Sequence, residues 1–378
     1  MSATLKRPGA EISAQTRTFT LSPVAIWATV GVILLGINAY AVLSWINAPS
    51  FTPAPLGDAV IPVGELYSLY FFEFASTVAA LLFMWFFLVK PWRRTGSISW
   101  DGMLVIAFFL MWVWDPLTNA INATWWYNGY LYNMQSWANF LPGWSSPNHE
   151  HFVEPIFLMG PCYIWFFAGP MIFGCAILKF MLRKYPSIGM AGSIATLFAS
   201  MAIFDAVVEI YFCRTGAGAY PGVVQSLSLW GGQPYQWPLY EGPIMGWTLA
   251  ALACLRFYRD DKGLSFCERG ADKLALPAGG KTFVRFLALV GVTHSIYLVL
   301  YFIPWNIFAL HIDTHTPMPS YMRHGVCGKG TPYACPSPSV PIATKHSIII
   351  GPDDPRLPAE VRANQDGPPY SMFVGKAN

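Results

Sequence analysis

Several carboxyl side chains occur in, or at the ends of, strongly apolar stretches of the sequence, where acidic residues are rare. A charged side chain at the centre of a bilayer costs roughly 2.5–3.5 kcal/mol on insertion scales, so an acid that is retained there is a functional candidate. Carboxyl groups in apolar surroundings suit acid–base catalysis, in which one group donates a proton and another accepts it. The predicted catalytic residues are Glu73, Asp115, Glu154, Asp205, Glu209 and Glu241.

Two of these acids lie four residues apart in the segment Phe-Asp-Ala-Val-Val-Glu. Asp205 and Glu209 therefore share one face of a predicted helix, because residues with this spacing are neighbours on a helix surface. Two ionised carboxylates there repel each other, and a carboxylic acid that keeps its proton is what general-acid catalysis requires. The alternative is that each acid hydrogen-bonds to a nearby Trp, Tyr or Asn and only orders the bundle.

The elements that must position these acids are predicted to be transmembrane helices. Hydrophobic residues make up 54% of the chain and charged residues 11%, whereas soluble domains carry about 25% charged residues. This composition excludes a soluble globular enzyme and a disordered protein. About seven stretches reach the roughly 20 apolar residues that a spanning helix needs, and they cover about 23–46, 65–90, 101–120, 152–180, 187–212, 241–257 and 283–309. The predicted fold class is an all-α polytopic membrane protein.

The distribution of Lys and Arg predicts the orientation of this bundle. Basic residues collect before the first stretch and in the loops near 90–94, 179–184 and 256–285, while the loops between them are almost free of them. By the positive-inside rule the N-terminus is cytoplasmic. The predicted organisation is a cytoplasmic tail at 1–20, a helical bundle at 21–310 and a proline-rich extracytoplasmic tail at 311–378. All the candidate acids then fall in the outer half of the membrane, which indicates one shared polar cavity.

Aromatic residues, histidines and an asparagine near the same end of the bundle are candidates for substrate binding. Aromatic faces stabilise cations, although the interfacial aromatic belt of membrane proteins is the simpler explanation for most of the Trp and Tyr residues. The predicted substrate-binding residues are Trp112, Trp114, Asn119, His151, Tyr240 and His294. A metal ion held by His149, His151 and Glu154 is an alternative with an unspecific spacing, and the sequence predicts neither a metal nor another cofactor.

The proline-rich tail contains two cysteines, Cys327 and Cys335. On an oxidising side of the membrane they would close a disulfide loop, and two free thiols are the alternative. The chain has no nucleotide-binding glycine motif, no Gly-x-Ser-x-Gly elbow and no Cys-x-x-Cys-His haem site, which leaves acid–base chemistry by carboxyls.

The sequence resembles the AveC-like spirocyclase family, named for the avermectin spiroketal cyclase, over about residues 20–320. The resemblance rests on overall hydropathy and on four segments, which are Trp-Asp-Pro (114–116), Pro-Asn-His-Glu-His-Phe-Val-Glu-Pro (147–155), Phe-Asp-Ala-Val-Val-Glu (204–209) and Tyr-Glu-Gly-Pro (240–243). It implies spiroketal closure of a dihydroxy ketone, and in the namesake also a dehydration. The candidate catalytic residues are inferred from their common depth in the predicted membrane and not from the resemblance.

The leading hypothesis is a cofactor-independent membrane cyclase or dehydratase that acts on a lipophilic hydroxy ketone or a related substrate. One alternative is a protein that binds or transports a hydrophobic compound without changing it. Another is a structural subunit of a larger membrane complex, with protein partners bound through the C-terminal tail. The expected partners are the lipid bilayer and a lipophilic small molecule, with no nucleic acid, and the expected location is the cell membrane.

Overall fold

The structure is a computed structural model that describes residues 22–144, 146, 148–337, 348–363, 365 and 367. The predicted cytoplasmic tail at 1–20 and parts of the predicted outer tail lie outside the described residues. The α-helices are α1 (Pro23–Ile46), α2 (Val63–Phe83), α3 (Lys90–Thr95), α4 (Trp100–Met111), α5 (Met159–Lys184), α6 (Gly189–Thr215), α7 (Glu241–Phe257), α8 (Ala278–Tyr297), α9 (Ile303–Ala309), α10 (Ser320–Arg323) and α11 (Ala359–Ala363).

Six helical segments within the described residues are long and apolar enough to cross a membrane, and they agree with the predicted helical membrane fold. The segments containing α1, α2 and α6 have about a fifth of their residues buried, whereas those containing α4, α5 and α8 have more than half buried. A helix that is apolar on every side and mostly exposed within the protein is suited to face lipid. The bundle therefore has inner and outer helices.

The sixth predicted stretch, at 241–257, forms α7, a helix of 17 residues. It packs against α5 and α6, and most of its side chains are buried. Its first residue is Glu241, and Arg256 near its other end forms an ion pair with Asp101 at 2.9 Å. The ion pair thus lies about 22 Å from Glu241 along the helix axis.

Three predicted helices depart from regular α-helix at the end of the bundle near Glu241. After α4, the chain tightens into a 3-10 helix at Trp112–Asn119, because Pro116 has no N–H to continue the α-helical hydrogen bonds. The helix α5 starts at Met159, so the first seven residues of the predicted stretch at 152–180 are not part of it. After α8, the backbone widens into a π-helical turn at Leu298–Phe302. Such turns are frequent at functional sites.

The loops at this end form a cap that is held together by three two-stranded antiparallel sheets. Two of the sheets join distant parts of the chain, with Trp126 opposite Ala219 and Gly222 opposite His315, so these loops support one another. The strands are β1 (Trp126–Tyr127), β2 (Gly218–Ala219), β3 (Gly222–Val223), β4 (Ser228–Leu229), β5 (Trp237–Pro238) and β6 (Thr314–His315), paired as β1–β2, β3–β6 and β4–β5.

The segment after α9 completes the cap. Its strand β6 pairs with β3, and Tyr321 and Met322 of α10 are fully buried against the core. Cys327 and Cys335 are joined by a disulfide bond, with their Cα atoms 4.9 Å apart. The side of the membrane on which this cap lies remains a prediction from the distribution of basic residues.

Close backbone contact between α1 and α8 depends on two glycines. A Cβ atom at Gly31 would lie 2.0 Å from the backbone oxygen of Leu287, and one at Gly291 would lie 2.1 Å from the backbone oxygen of Trp27. Helices in membranes associate through such small residues, because lipid supplies no hydrophobic drive to bring them together.

We predict that Gly31→Ala destabilises the protein, because the added methyl group must push α1 away from α8. The expected loss is about 1–3 kcal/mol, the usual cost of overpacking a core, seen as a lower melting temperature of the purified protein in detergent. Gly36→Ala is the matched control on the same helix, since a Cβ atom at Gly36 has no neighbour within 4 Å. Equal melting temperatures for the two variants would contradict the assigned helix contact.

Candidate functional site

The carboxyl group of Asp115 is the centre of a buried hydrogen-bond network. It lies in the 3-10 turn after α4, and its side chain accepts a hydrogen bond from the hydroxyl of Tyr127 at 2.8 Å and one from the hydroxyl of Tyr163 at 2.5 Å. The hydroxyl of Tyr297 lies 2.7 Å from that of Tyr163. Because Tyr163 donates its single proton to Asp115, Tyr297 donates to Tyr163. These bonds hold the Asp115 carboxyl in one orientation.

Glu154 lies within hydrogen-bonding reach of the Asp115 carboxyl. It belongs to the extended segment that precedes α5 and is 1% exposed. Burial raises the pKa of Glu154 well above its ordinary value, and the negative charge of Asp115 and the hydrogen bond between the two groups raise it further. Burial and the charge of Asp115 therefore both favour the protonated form of Glu154.

Asn119 fixes the turn that brings Tyr127 back to Asp115. Its side-chain oxygen accepts hydrogen bonds from the backbone N–H groups of Thr124 and Trp125, both at 2.9 Å, and its amide nitrogen donates to the backbone oxygen of Trp125 at 2.7 Å. Three hydrogen bonds from one buried side chain close the loop after the 3-10 helix. The contacts of Asn119 at the predicted site thus stabilise the backbone of this turn.

A second group of acids lies between α6 and α7. One carboxylate oxygen each from Asp205, Glu209 and Glu241 lies within 4.8 Å of the other two. Glu209 accepts hydrogen bonds from the hydroxyl of Tyr220 and, at 3.1 Å, from the indole N–H of Trp237. Among the described residues, neither oxygen of Asp205 has a hydrogen-bond partner.

This acidic cluster of Asp205, Glu209 and Glu241 has no basic partner within the part of the chain that the structure describes. Two unit charges 4.8 Å apart repel by about 3.5 kcal/mol at an effective dielectric constant of about 20. Three ionised carboxylates at this spacing would therefore be strongly unfavourable without a compensating cation or proton.

A cavity of about 60 Å³ connects the two acid groups, since Asp115 and Glu209 both line it. Its walls are mostly aromatic and apolar. Trp125 of the cap, Tyr163 and Phe166 of α5, and Tyr301 of the π-helical turn are among the lining residues. The cavity holds a few water-sized molecules and is smaller than a typical ligand pocket of 300–1,000 Å³.

A larger groove adjoins this cavity on the outer surface of the bundle. It has a volume of about 410 Å³ and lies where α2, α5 and α6 meet. Val208 and Phe212 line both the groove and the cavity. The groove is almost entirely apolar in its lining, with Phe72 and Trp165 on its walls. Val208 and Phe212 therefore separate an apolar outer surface from the acids.

Glu73 lies apart from both acid groups. Its carboxylate accepts a hydrogen bond from the backbone N–H of Tyr132 at 2.7 Å, and it is not among the described residues that line the cavity. His151 also has a local contact, with its Nδ1 atom 3.0 Å from the side-chain oxygen of Gln135.

The remaining predicted substrate-binding residues make packing or hydrogen-bond contacts outside the cavity lining. Trp112 packs edge to face on Trp137, and Tyr240 stacks on Phe308 with ring centroids 4.1 Å apart. The indole N–H of Trp114 donates to Nδ1 of His294 at 3.0 Å. The other ring nitrogen of His294 then carries the proton and donates to the backbone oxygen of Ala107.

The tyrosines of the site were missed by the sequence reasoning. Tyr127, Tyr163, Tyr220, Tyr297 and Tyr301 are the hydroxyl groups around the acids, and they come from a loop, α5, the cap, α8 and the π-helical turn. A signal for two of them is present, since Tyr297 and Tyr301 recur at helical spacing. The others could not be assigned to a partner, because their contacts depend on how the loops fold back.

The alternative metal site at His149, His151 and Glu154 does not assemble among the described residues, where the group with metal-ligand spacing is the acidic cluster. His149 instead lies with Nδ1 2.5 Å from the backbone oxygen of Ser146. Its ring packs on Trp144, with centroids 5.0 Å apart.

Comparison with known proteins gives one match. The family model described as Spirocyclase AveC-like matches residues 92–324, a range that contains both acid groups and most of the cap. No curated protein and no solved structure matches the chain.

We predict that Glu154 keeps its proton at neutral pH and that Glu154→Gln removes a pH-dependent contribution to stability. Because the pKa of Glu154 is raised on folding, this contribution is fully present below the ordinary Glu pKa of about 4.3 and is lost as the pH rises through the folded value. The melting temperature of the parent protein should fall with rising pH more steeply than that of the variant.

Infrared spectroscopy provides the direct check on this proton. A carbonyl band of a protonated carboxylic acid should be present in the parent protein at neutral pH and weaker in Glu154→Gln. An unchanged band, together with parallel melting curves, would show that Glu154 is not the protonated group.

Proposed function

The chain belongs to the AveC-like spirocyclase family, and from that membership and the paired carboxyls we propose that it is a membrane-embedded acid–base cyclase or dehydratase. Its substrate would be a lipophilic hydroxy ketone or a related compound. The observation that carries the proposal is the buried Asp115–Glu154 pair beside a cavity with aromatic walls, where burial raises the pKa of Glu154.

The proposed reaction loses one water molecule from a dihydroxy ketone. One hydroxyl first adds to the carbonyl and gives a hemiketal. A proton on the hemiketal hydroxyl then lets water leave, and the oxocarbenium ion that remains is captured by the second hydroxyl. The proton released in this last step restores the acid, so the protein is unchanged at the end of a cycle.

Asp115 is the member of the pair that would exchange the proton with the substrate, because it lines the cavity and Glu154 is not among the described residues that do so. Glu154 would supply the proton to Asp115 and take it back. The hydroxyls of Tyr127 and Tyr163 hold the Asp115 carboxyl in one orientation. Preorganised groups of this kind do not have to rearrange as charge develops in the transition state.

The aromatic walls of the cavity would stabilise the cationic intermediate. Ring faces attract cations, and the attraction grows when water is excluded. Trp125, Phe166 and Tyr301 are suitably placed because they line the same cavity as Asp115. We therefore propose these three rings for this role in place of Trp112 and Trp114, which are not among the described residues that line the cavity.

The apolar groove between α2 and α6 would admit the substrate sideways from lipid. The cavity alone is too small for a long-chain substrate, whereas the adjoining groove is about seven times larger. Displacement of Phe212 would join the two spaces. The apolar part of the substrate would then occupy the groove, and its hydroxyls and carbonyl would meet the acids.

We predict that Asp115→Asn and Glu154→Gln each lower the cyclisation rate by about 100-fold or more, the usual contribution of general acid–base catalysis. The assay uses protein in liposomes and a long-chain dihydroxy ketone with four carbons between the carbonyl and each hydroxyl. Product is measured by chiral chromatography, because uncatalysed closure gives both enantiomers of the spiroketal equally.

Asp58→Asn is the control for these variants, since Asp58 is an exposed acid in the loop between α1 and α2. It should retain the parent rate. If Asp115→Asn and Glu154→Gln fold normally and make product as fast as the control, the acid–base assignment is wrong. A parent protein that binds the ketone and releases it unchanged would favour the transport hypothesis instead.

We predict that Phe212→Trp raises KM for long-chain ketones, because the larger ring obstructs the connection between groove and cavity. The effect on kcat should be smaller, since Phe212 is not part of the proton-holding pair. Phe74→Trp is the matched control, as Phe74 is 69% exposed on the lipid-facing surface of α2. Equal KM values for both variants would exclude entry past Phe212.

A further inference from the structure

The acidic cluster of Asp205, Glu209 and Glu241 differs from the Asp115–Glu154 pair in the way its carboxyls meet. The carboxyls of Asp115 and Glu154 lie within hydrogen-bonding reach of each other. Asp205 and Glu241 interact with Glu209 through charge and not through a shared hydrogen bond. A cation between the carboxyls of the second group would relieve this repulsion.

The spacing in this cluster is that of ligands around a metal ion. Carboxyls that share a proton bring their oxygens to about 2.5–2.7 Å. A hard cation with oxygen ligands at about 2.0–2.6 Å separates those oxygens by roughly 3–5 Å. One oxygen from each of the three residues lies within 4.8 Å of the other two, so a single cation can contact all three.

Unpartnered oxygens are an independent indication of a ligand. Asp205 and Glu241 are both fully buried, and neither oxygen of Asp205 finds a donor among the described residues. The described residues also supply no hydrogen-bond donor to either oxygen of Glu241, although the hydroxyl of Tyr301 lies near its carboxyl. Buried polar atoms are otherwise almost always hydrogen-bonded.

Neighbouring groups fix the positions of the three carboxyls. The hydroxyl of Tyr220 and the indole N–H of Trp237 donate to one oxygen of Glu209, so its other oxygen is free for a cation. Close contact between α6 and α7 sets the distance between their acids, because a Cβ atom at Gly246 would lie 2.9 Å from that of Ala202. Outer contacts that orient metal ligands typically strengthen metal binding 10–100-fold.

We propose that Asp205, Glu209 and Glu241 bind one divalent cation of the hard class, Mg²⁺ or Mn²⁺. The donor set of three carboxylates favours these ions over Zn²⁺ or Cu²⁺, which prefer nitrogen and sulfur ligands. No His or Cys of the described residues belongs to the group. Glu209 lines the cavity, so the site borders a space that holds water-sized molecules. The proposal stands independently of the reaction.

Manganese titration of the full-length protein in detergent tests this site. After treatment with a chelator, the protein should bind about one Mn²⁺ per chain, seen as loss of the free-ion signal in electron paramagnetic resonance, and excess Mg²⁺ should displace it. Asp205→Asn and Glu241→Gln should weaken binding at least about 10-fold. Glu154→Gln is the control, because it removes a buried carboxyl from the other acid group, and it should bind Mn²⁺ as the parent does.

The result that would overturn the proposal is a folded parent protein that takes up neither ion at millimolar concentration. Equal loss of binding in Glu154→Gln would also overturn it. If Asp205→Asn and Glu241→Gln do not fold, Tyr220→Phe decides the question, because it removes only a donor to Glu209. It should weaken Mn²⁺ binding about 10-fold, and unchanged affinity would contradict the assigned ligand set.

Discussion

The cost of burying carboxyl groups in an apolar bundle governs the end of the molecule where the helices meet the cap. Asp115, Glu154, Asp205 and Glu241 are all nearly or completely buried. An isolated ionised carboxylate in such a place is strongly disfavoured, so each group must share a proton, accept strong hydrogen bonds or bind a cation. The tyrosines around Asp115 and Glu209 meet part of this demand. The rest of this demand is met, in our proposals, by a proton at the Asp115–Glu154 pair and by a cation at the acidic cluster.

Irregular backbone makes room for these groups. Regular helices would fill the centre of the bundle with packed side chains, but α4 tightens into a 3-10 turn at Asp115 and α5 begins only after Glu154. The π-helical turn after α8 carries Tyr301 into the cavity. Non-helical backbone at membrane depth is tolerated where it is buried in protein or lines a cavity, and here the cap buries it.

The helical membrane fold was predictable from the sequence, because long apolar stretches have few other structures open to them. The acids were also recognisable, since their cost in an apolar segment marks them individually. Their division into a pair and a cluster was not, because Glu154 meets Asp115 only through the extended segment before α5. The pairing of β1 with β2 and of β3 with β6 brings together residues far apart in sequence, and periodicity gives no register for such contacts. Trp112 and Trp114 illustrate the same limit, since composition did not indicate which rings would face the cavity.

The two acid groups impose different demands on the same small space. In the proposed reaction the Asp115–Glu154 pair would act as an acid only while it holds a proton, whereas a cation at the acidic cluster would favour ionised carboxylates nearby. Aromatic side chains and the apolar Met245 line the cavity that both groups border. A substrate that reached the cavity past Phe212 would therefore meet a proton donor on one side and a fixed negative or metal-bound group on the other. This difference between the two sides would orient a hydroxy ketone. Its carbonyl oxygen can only accept hydrogen bonds, whereas its hydroxyls can also donate them.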